Sequence, residues 1–172
     1  MPAFQPNSPP VTYWRRAPAL SGLTHSSSVL ADRSHQFRAR LDQLTAVTVF
    51  IEEYCMLRAL PRETALRLNL IVEELFTNSA LHGYGGECDQ PIWVGLSGAG
   101  AAVELCYEDA APAYNPLERL QAGYVSSVTA TITGRPIGGL GVFLVAQLAH
   151  TARYAREDER NRLTITLAVE RE

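Results

Sequence analysis

Lysine is absent from this sequence. All 15 basic residues of the 172-residue chain are arginine, which removes any phosphate site built on a Walker lysine and leaves backbone amides, arginine or a metal ion for that task. Cysteine is scarce. Cys55, Cys88 and Cys106 are odd in number, scattered and without Cys-x-x-Cys spacing, which argues against a disulfide framework or a zinc site. No run of about 18 apolar residues exists, so no membrane-spanning helix is expected. The N-terminus lacks the apolar stretch of a signal peptide, and the expected compartment is the cytoplasm. An excess of positive charge is missing too: a net charge of -3 and a pI near 5.8 give no electrostatic footprint for nucleic acid. What is present is 47% hydrophobic content, enough for one sizeable core.

Pro2, Pro6, Pro9, Pro10 and Pro18 make residues 1–24 an expected extended or disordered arm, leaving 25–172 as a single domain. Within the arm, Tyr13, Trp14, Arg15 and Arg16 are of the types enriched at interface hot spots, though a tail that merely contains them accounts for the pattern as well. From His35 the side chains alternate, with Phe37, Ala39 and Leu41 on one face of a strand. Asp42 is placed to cap a helix carrying Leu44, Val47, Ile51 and Tyr54. After a break at Leu57 to Pro61, a second helix is expected to run to about His82 and stop at Gly83-Tyr84-Gly85-Gly86. Strands follow at Ile92 to Ser97 and Ala102 to Asp109, joined by a glycine-containing hairpin. Residues 110–137 lack periodicity and hold several prolines and glycines, which reads as a lid or binding loop. A short helix from Gly141 to Ala149 and a closing hairpin, Thr151 to Arg156 with Arg162 to Glu170, complete the chain. The periodicity supports α/β with helices on one face of a sheet.

Polar chemistry enters where the second helix otherwise reads as core. Glu74, Asn78 and His82 recur every four residues and stack as one stripe. Beside it Leu68, Ile71, Val72, Leu75 and Phe76 follow the spacing of a buried face. Taken alone, the stripe is as well explained by a solvated helix flank. Downstream, Asp109 ends an alternating apolar run, and Gly138-Gly139-Leu140-Gly141 opens a new helix. Glycine there lets backbone amides approach an anion, and the helix terminus adds the positive end of its dipole.

In that order and spacing, the three pieces resemble the nucleotide-binding boxes of the GHKL superfamily, the ATPases of gyrase, heat-shock chaperones, histidine kinases and mismatch-repair proteins. Glu73-Glu74-Leu75-Phe76-Thr77-Asn78-Ser79-Ala80-Leu81-His82-Gly83-Tyr84, then Asp109 to Leu117, then Gly138 to Val145 resemble its anti-sigma-factor serine-protein kinase branch. The resemblance runs from about Ser34 to the C-terminus. It implies a two-layer α/β sandwich of the histidine-kinase-like ATPase type, with a mixed sheet and helices on one face.

The resemblance also implies roles. ATP is bound with magnesium, Asn78 being the metal ligand and Gly138, Gly139 and Gly141 the phosphate loop. Glu74 is the general base, while Glu73 points about 100° around the helix and is assigned to solvent. Asp109 accepts from the adenine amino group and Thr164 lies near the same edge, although alone they read as a turn-initiating Asp and an ordinary strand threonine. His82 is a further nucleotide contact or, equally, a cation at a helix C-terminus. The implied activity is a bacterial protein serine/threonine kinase that sequesters a sigma factor and phosphorylates an anti-sigma-factor antagonist, as a homodimer with neither nucleic acid nor membrane as a direct partner. The competing function is a partner-binding regulatory module of the same fold with weak or no kinase activity. One position departs from the superfamily's Asp-x-Gly: Ala111 stands where the glycine is usual, and its methyl group is expected to meet the adenine or to occupy a position that wants positive φ.

Overall fold

Alternating strands with one apolar phase need a partner layer, and the chain supplies it with a helical hairpin. The computed structural model describes residues 12–15, 32–98, 101–118 and 145–170. Strand β1 spans Thr12–Arg15 and β2 Arg33–Arg38, followed by a 3-10 turn at Leu41–Gln43 and helices α1, Leu44–Leu57, and α2, Arg62–Asn78. A π-helical turn, Ser79–Gly83, extends α2. Strands β3, Pro91–Ser97, β4, Ala102–Asp109, β5, Thr151–Glu157, and β6, Arg160–Ala168, complete a six-stranded sheet in the order β1-β5-β6-β4-β3-β2. Residues 145–148 are helical, the described part of the helix expected to open at Gly141.

The two layers are those expected, but among the described residues the sheet is antiparallel where a mixed one was expected. Every described pairing is antiparallel. The reason is a count of reversals: one crossover helix returns the chain parallel, whereas the pair α1 and α2 between β2 and β3 reverses it once more. Part of the expected arm also joins the sheet, since β1 pairs with β5 at its edge. Asp42 does not cap α1. It lies in the 3-10 turn, where Gln43 Nε2 and Arg40 Nε donate to its carboxylate, and α1 has no side-chain cap.

One sheet face carries the core. Ile92, Val94, Leu96, Val103, Leu105, Ile165 and Leu167 meet Val47, Ile51, Leu68, Ile71, Val72 and Phe76 from the helices, all essentially excluded from water. Burying each such side chain is worth about 1.5–3 kcal/mol. Tyr54 ties α1 to the β3-β4 connection by donating to Gly98 O at 2.6 Å. The opposite phase holds polar groups, among them Glu108, which accepts from Arg162 Nε at 2.6 Å. Burial pushes the Cys106 thiol on that face up to about 12. All three cysteines are free, as their spacing indicated. No helix among the described residues is long and apolar enough to cross a membrane.

Strands β5 and β6 meet through Asp158 and Glu159, at φ 48° and 63°. Two consecutive left-handed residues define the type I′ hairpin, which favours Asp-Gly over Asp-Glu. Glu159→Gly is therefore expected to stabilise the fold by about 0.5–1 kcal/mol, the left-handed penalty being partly offset by glycine's greater entropy loss. Urea denaturation of the two proteins checks this, and an unchanged or lower midpoint contradicts it.

Candidate functional site

The register of the two central strands decides what the polar residues at their ends do. Asp109, the last residue of β4, lies directly opposite Asn161 near the start of β6. Both face the helical layer, and both are buried, at 7% and 8% exposure. Asn161 Nδ2 donates to Asp109 Oδ1 at 2.7 Å. The backbone N–H of Ala111 donates to the same oxygen at 3.1 Å, and Ser79 Oγ donates to Asp109 Oδ2 at 2.6 Å. Tyr107 OH in turn donates to Ser79 Oγ at 2.9 Å. Burial raises the Tyr107 phenol well above its usual value, so it remains a donor at neutral pH.

Ser79 holds the regular helical phase, its backbone N–H donating to Leu75 O, and α2 widens directly after it. Within the π-helical turn Tyr84 N donates to Ser79 O, five residues back, at 2.8 Å. Such widened turns occur often at functional sites. Ser79 and Gly83 face the end of β4 together, and a Cβ placed on Gly83 would lie 3.1 Å from the Ala111 methyl group. Ala111 is buried and is not among the residues at positive φ. Its methyl group thus fits over Gly83, and the backbone conformation does not call for glycine. Tyr84 closes the turn, donating to Pro91 O at 2.7 Å and accepting from Ala110 N at 2.8 Å. Burial pushes its phenol up to about 12.

Above this network lies a cavity of about 410 Å³ whose lining includes Asn78, His82, Asp109, Tyr114, Leu117 and Leu163. Its size and mostly apolar wall with a few convergent polar groups suit a small organic ligand. Asn78 Nδ2 donates to Glu74 Oε1 at 3.1 Å. That bond turns the carboxamide oxygen, the atom able to ligate a cation, away from Glu74. Glu73 is exposed, as its angular position on α2 indicated. Among the described residues no group of three or more His, Cys, Asp or Glu side chains converges into a metal cage.

Asn78, His82 and Asp109 therefore share one cavity, with Glu74 joined to it through Asn78. Gly138, Gly139 and Gly141 lie outside the described residues, as do positions 119–137 of the expected lid. Thr164 does not reach the cavity. It pairs with Cys106 and Arg153 and occupies the sheet phase opposite Leu163 and Ile165, so the pleat turns it away from the helices. Asn161 stands where a β6 residue meets Asp109. Ser79, Tyr107 and Asn161 are the site residues that the motif reading passed over. A signal existed: Asn161 precedes Leu163, Ile165 and Leu167 in the same alternation, and Ser79 continues the buried helix phase of Leu68, Val72 and Phe76.

Ser79→Ala is expected to destabilise the protein by about 1–3 kcal/mol, because it strips one donor from a buried carboxylate and leaves the Tyr107 hydroxyl without its acceptor. Chemical denaturation measures this. A loss below about 0.5 kcal/mol would mean that the Ser79 bond adds nothing beyond the typical surface substitution.

The histidine kinase-like ATPase domain family matches this chain over residues 37–167. No curated protein matches it. The matched span runs from the end of β2 to the end of β6 and so takes in the whole cavity wall described above. With an antiparallel sheet backed by a helical hairpin and a polar-floored cavity between them, the chain belongs to the histidine kinase-like ATPase domain family and is an ATP-binding, kinase-like ATPase.

Proposed function

We propose that the protein is a magnesium-dependent protein serine/threonine kinase that acts as an anti-sigma factor and phosphorylates an anti-sigma-factor antagonist. The observation that carries this reading is the Glu74–Asn78 pair, joined at 3.1 Å on the helix that borders the Asp109 cavity. Hydrolysis or transfer of a phosphoryl group needs a carboxylate near the attacking hydroxyl and a neutral oxygen near the phosphates. Two adjacent turns of α2 offer both. The kinase branch and its partners are supported by the sequence likeness of the segments around Glu74, Asp109 and Gly138.

Asp109 accepts the exocyclic amine of the base at the cavity floor. Asn78 Oδ1 is the protein ligand for magnesium, which commonly keeps several waters when bound to nucleotide phosphates and so needs few side chains. Bound there, the ion supplies neutralisation of phosphate charge. Glu74 takes the proton of the substrate serine as the serine oxygen bonds to the γ-phosphorus and the bond to the β-phosphate oxygen breaks. The products are phosphoserine and ADP.

ATP with magnesium should stabilise the folded protein, by about 2.7 kcal/mol at a hundredfold excess over the dissociation constant. Asn78→Ala should keep the fold and lose the magnesium dependence of that shift. Thermal denaturation with nucleotide, with and without magnesium, reads both effects. Wild-type binding that ignores magnesium, combined with an unfolded variant, would assign Asn78 to structure instead.

Glu74→Gln preserves size and hydrogen bonding while removing proton acceptance. Phosphoryl transfer to the serine of a cognate antagonist is expected to fall by roughly 100-fold or more, with little change in ATP affinity. Equal transfer by both proteins would refute the base assignment. If wild type binds ATP and the antagonist yet transfers nothing, the partner-binding module is the correct function.

A further inference from the structure

We propose that Asn161 is the positioning residue that sets base selectivity in this cavity, holding the Asp109 carboxylate so that one acceptor direction is left for a purine carrying an exocyclic amino group. The inference rests on reading Asp109 as the base acceptor and adds to it the residue that makes the carboxylate selective. A carboxylate offers about four acceptor positions. Asp109 Oδ1 receives Asn161 Nδ2 and Ala111 N, and Oδ2 receives Ser79 Oγ. The remaining position is on Oδ2, in a residue that lines the cavity.

Asn161 is fixed in turn by contacts that specify which end of its amide faces Asp109. Its Oδ1 accepts from Tyr114 N at 3.2 Å, Tyr154 OH at 2.9 Å and Arg156 Nη1 at 2.9 Å. Its Nδ2 donates to Asp109 Oδ1, to Pro112 O at 3.1 Å and to Ala111 O at 3.3 Å. A reversed amide would set its NH2 against three donors and its oxygen against three acceptors, so a single orientation is stable. Arg156 Nη1 also donates to Ala111 O at 3.0 Å. The segment from Ala111 to Tyr114, which forms one wall of the cavity, is thereby bound to the same side chain that orients Asp109. A 6-amino purine presents a donor to the free position. A 6-oxo purine presents an acceptor and is rejected.

The test compares dissociation constants for ATP and inosine triphosphate, by calorimetry on the full chain, for wild type, Asn161→Asp and Asn161→Ser between pH 5.5 and 8. Selectivity is a ratio, so it is insensitive to a lowered folded fraction and cancels the triphosphate. The titratable and charged groups bonded to position 161 or sharing its cavity wall are Asp109 and Tyr107 on β4, Tyr114 beyond it, Tyr154 and Arg156 on β5, and His82 from the π-helical turn, and all are retained in every protein compared. Wild type should favour ATP by at least about tenfold, the value of one hydrogen bond to a charged acceptor. In Asn161→Asp two carboxyl groups face each other and share a proton at low pH. Relative to wild type, its selectivity should fall as pH rises and that proton leaves. Asn161→Ser, which adds no charge and lacks the reach of the amide, should lose at least about fivefold in selectivity at every pH. Should Asn161→Asp fail to fold, Asn161→Ser decides the question alone.

Variants with wild-type selectivity within twofold and no added pH dependence would overturn the role of Asn161 and leave Asp109 as the base acceptor. A wild type that binds both nucleotides alike would overturn the reading of Asp109, and the inference with it.

Discussion

A carboxylate removed from water must be matched by donors or it protonates, and the Asp109 carboxylate draws its donors from separate parts of the chain. Ser79 comes from the end of the helical layer, Asn161 from β6 and the Ala111 amide from the loop that leaves β4. Leaving a buried polar group without one of its partners costs about 1–3 kcal/mol, more than making a typical hydrogen bond contributes. The polar knot therefore acts as a constraint on register. It is satisfied only when α2, β4 and β6 stand as they do, in a core whose other contacts are apolar and accept small slides.

The π-helical turn adjoins that polar knot. Glu74 and Asn78 stack on one flank of α2, and Ser79, one residue further round, meets the end of β4. Asn78 and His82 lie on the cavity rim, Ser79 turns down to the carboxylate in the same helical phase as Phe76, and Gly83 in the widened turn beyond sits against Ala111. Gly83 contributes by what it lacks, because a Cβ there would press to 3.1 Å from the Ala111 methyl group. The departure from Asp-x-Gly is in this way absorbed next to the cavity, by the helix end and without backbone strain.

The site divides into a floor and a rim with different physics. At the floor, Tyr107, Ser79, Asp109 and Asn161 are buried and bonded to one another, which suits a rigid recognition surface. On the rim, Glu74, Asn78 and His82 are half-buried or exposed and lightly bonded, which leaves them accessible from solvent. That arrangement matches what an ATP-using domain needs: fixed reading of one end of the nucleotide and access at the other.

Much of the architecture was legible in the order of residues because it is periodic. The helical spacing of Val47, Ile51 and Tyr54 and of Leu68, Val72 and Phe76, and the alternation of Leu163, Ile165 and Leu167, report local geometry directly. Glu74 and Asn78 were legible for the same reason, since an interval of four on a helix is a contact. Strand direction was not, because it depends on how many helices return the chain between two neighbours, and the expected mixed sheet became antiparallel. Thr164 and Asn161 show the limit most sharply. Both are polar residues of one strand, and the alternation alone says that they face opposite ways. Which of the two meets Asp109 was decided by the register of β6 against β4, a long-range pairing of residues 52 apart in sequence, and by which sheet face the helices cover.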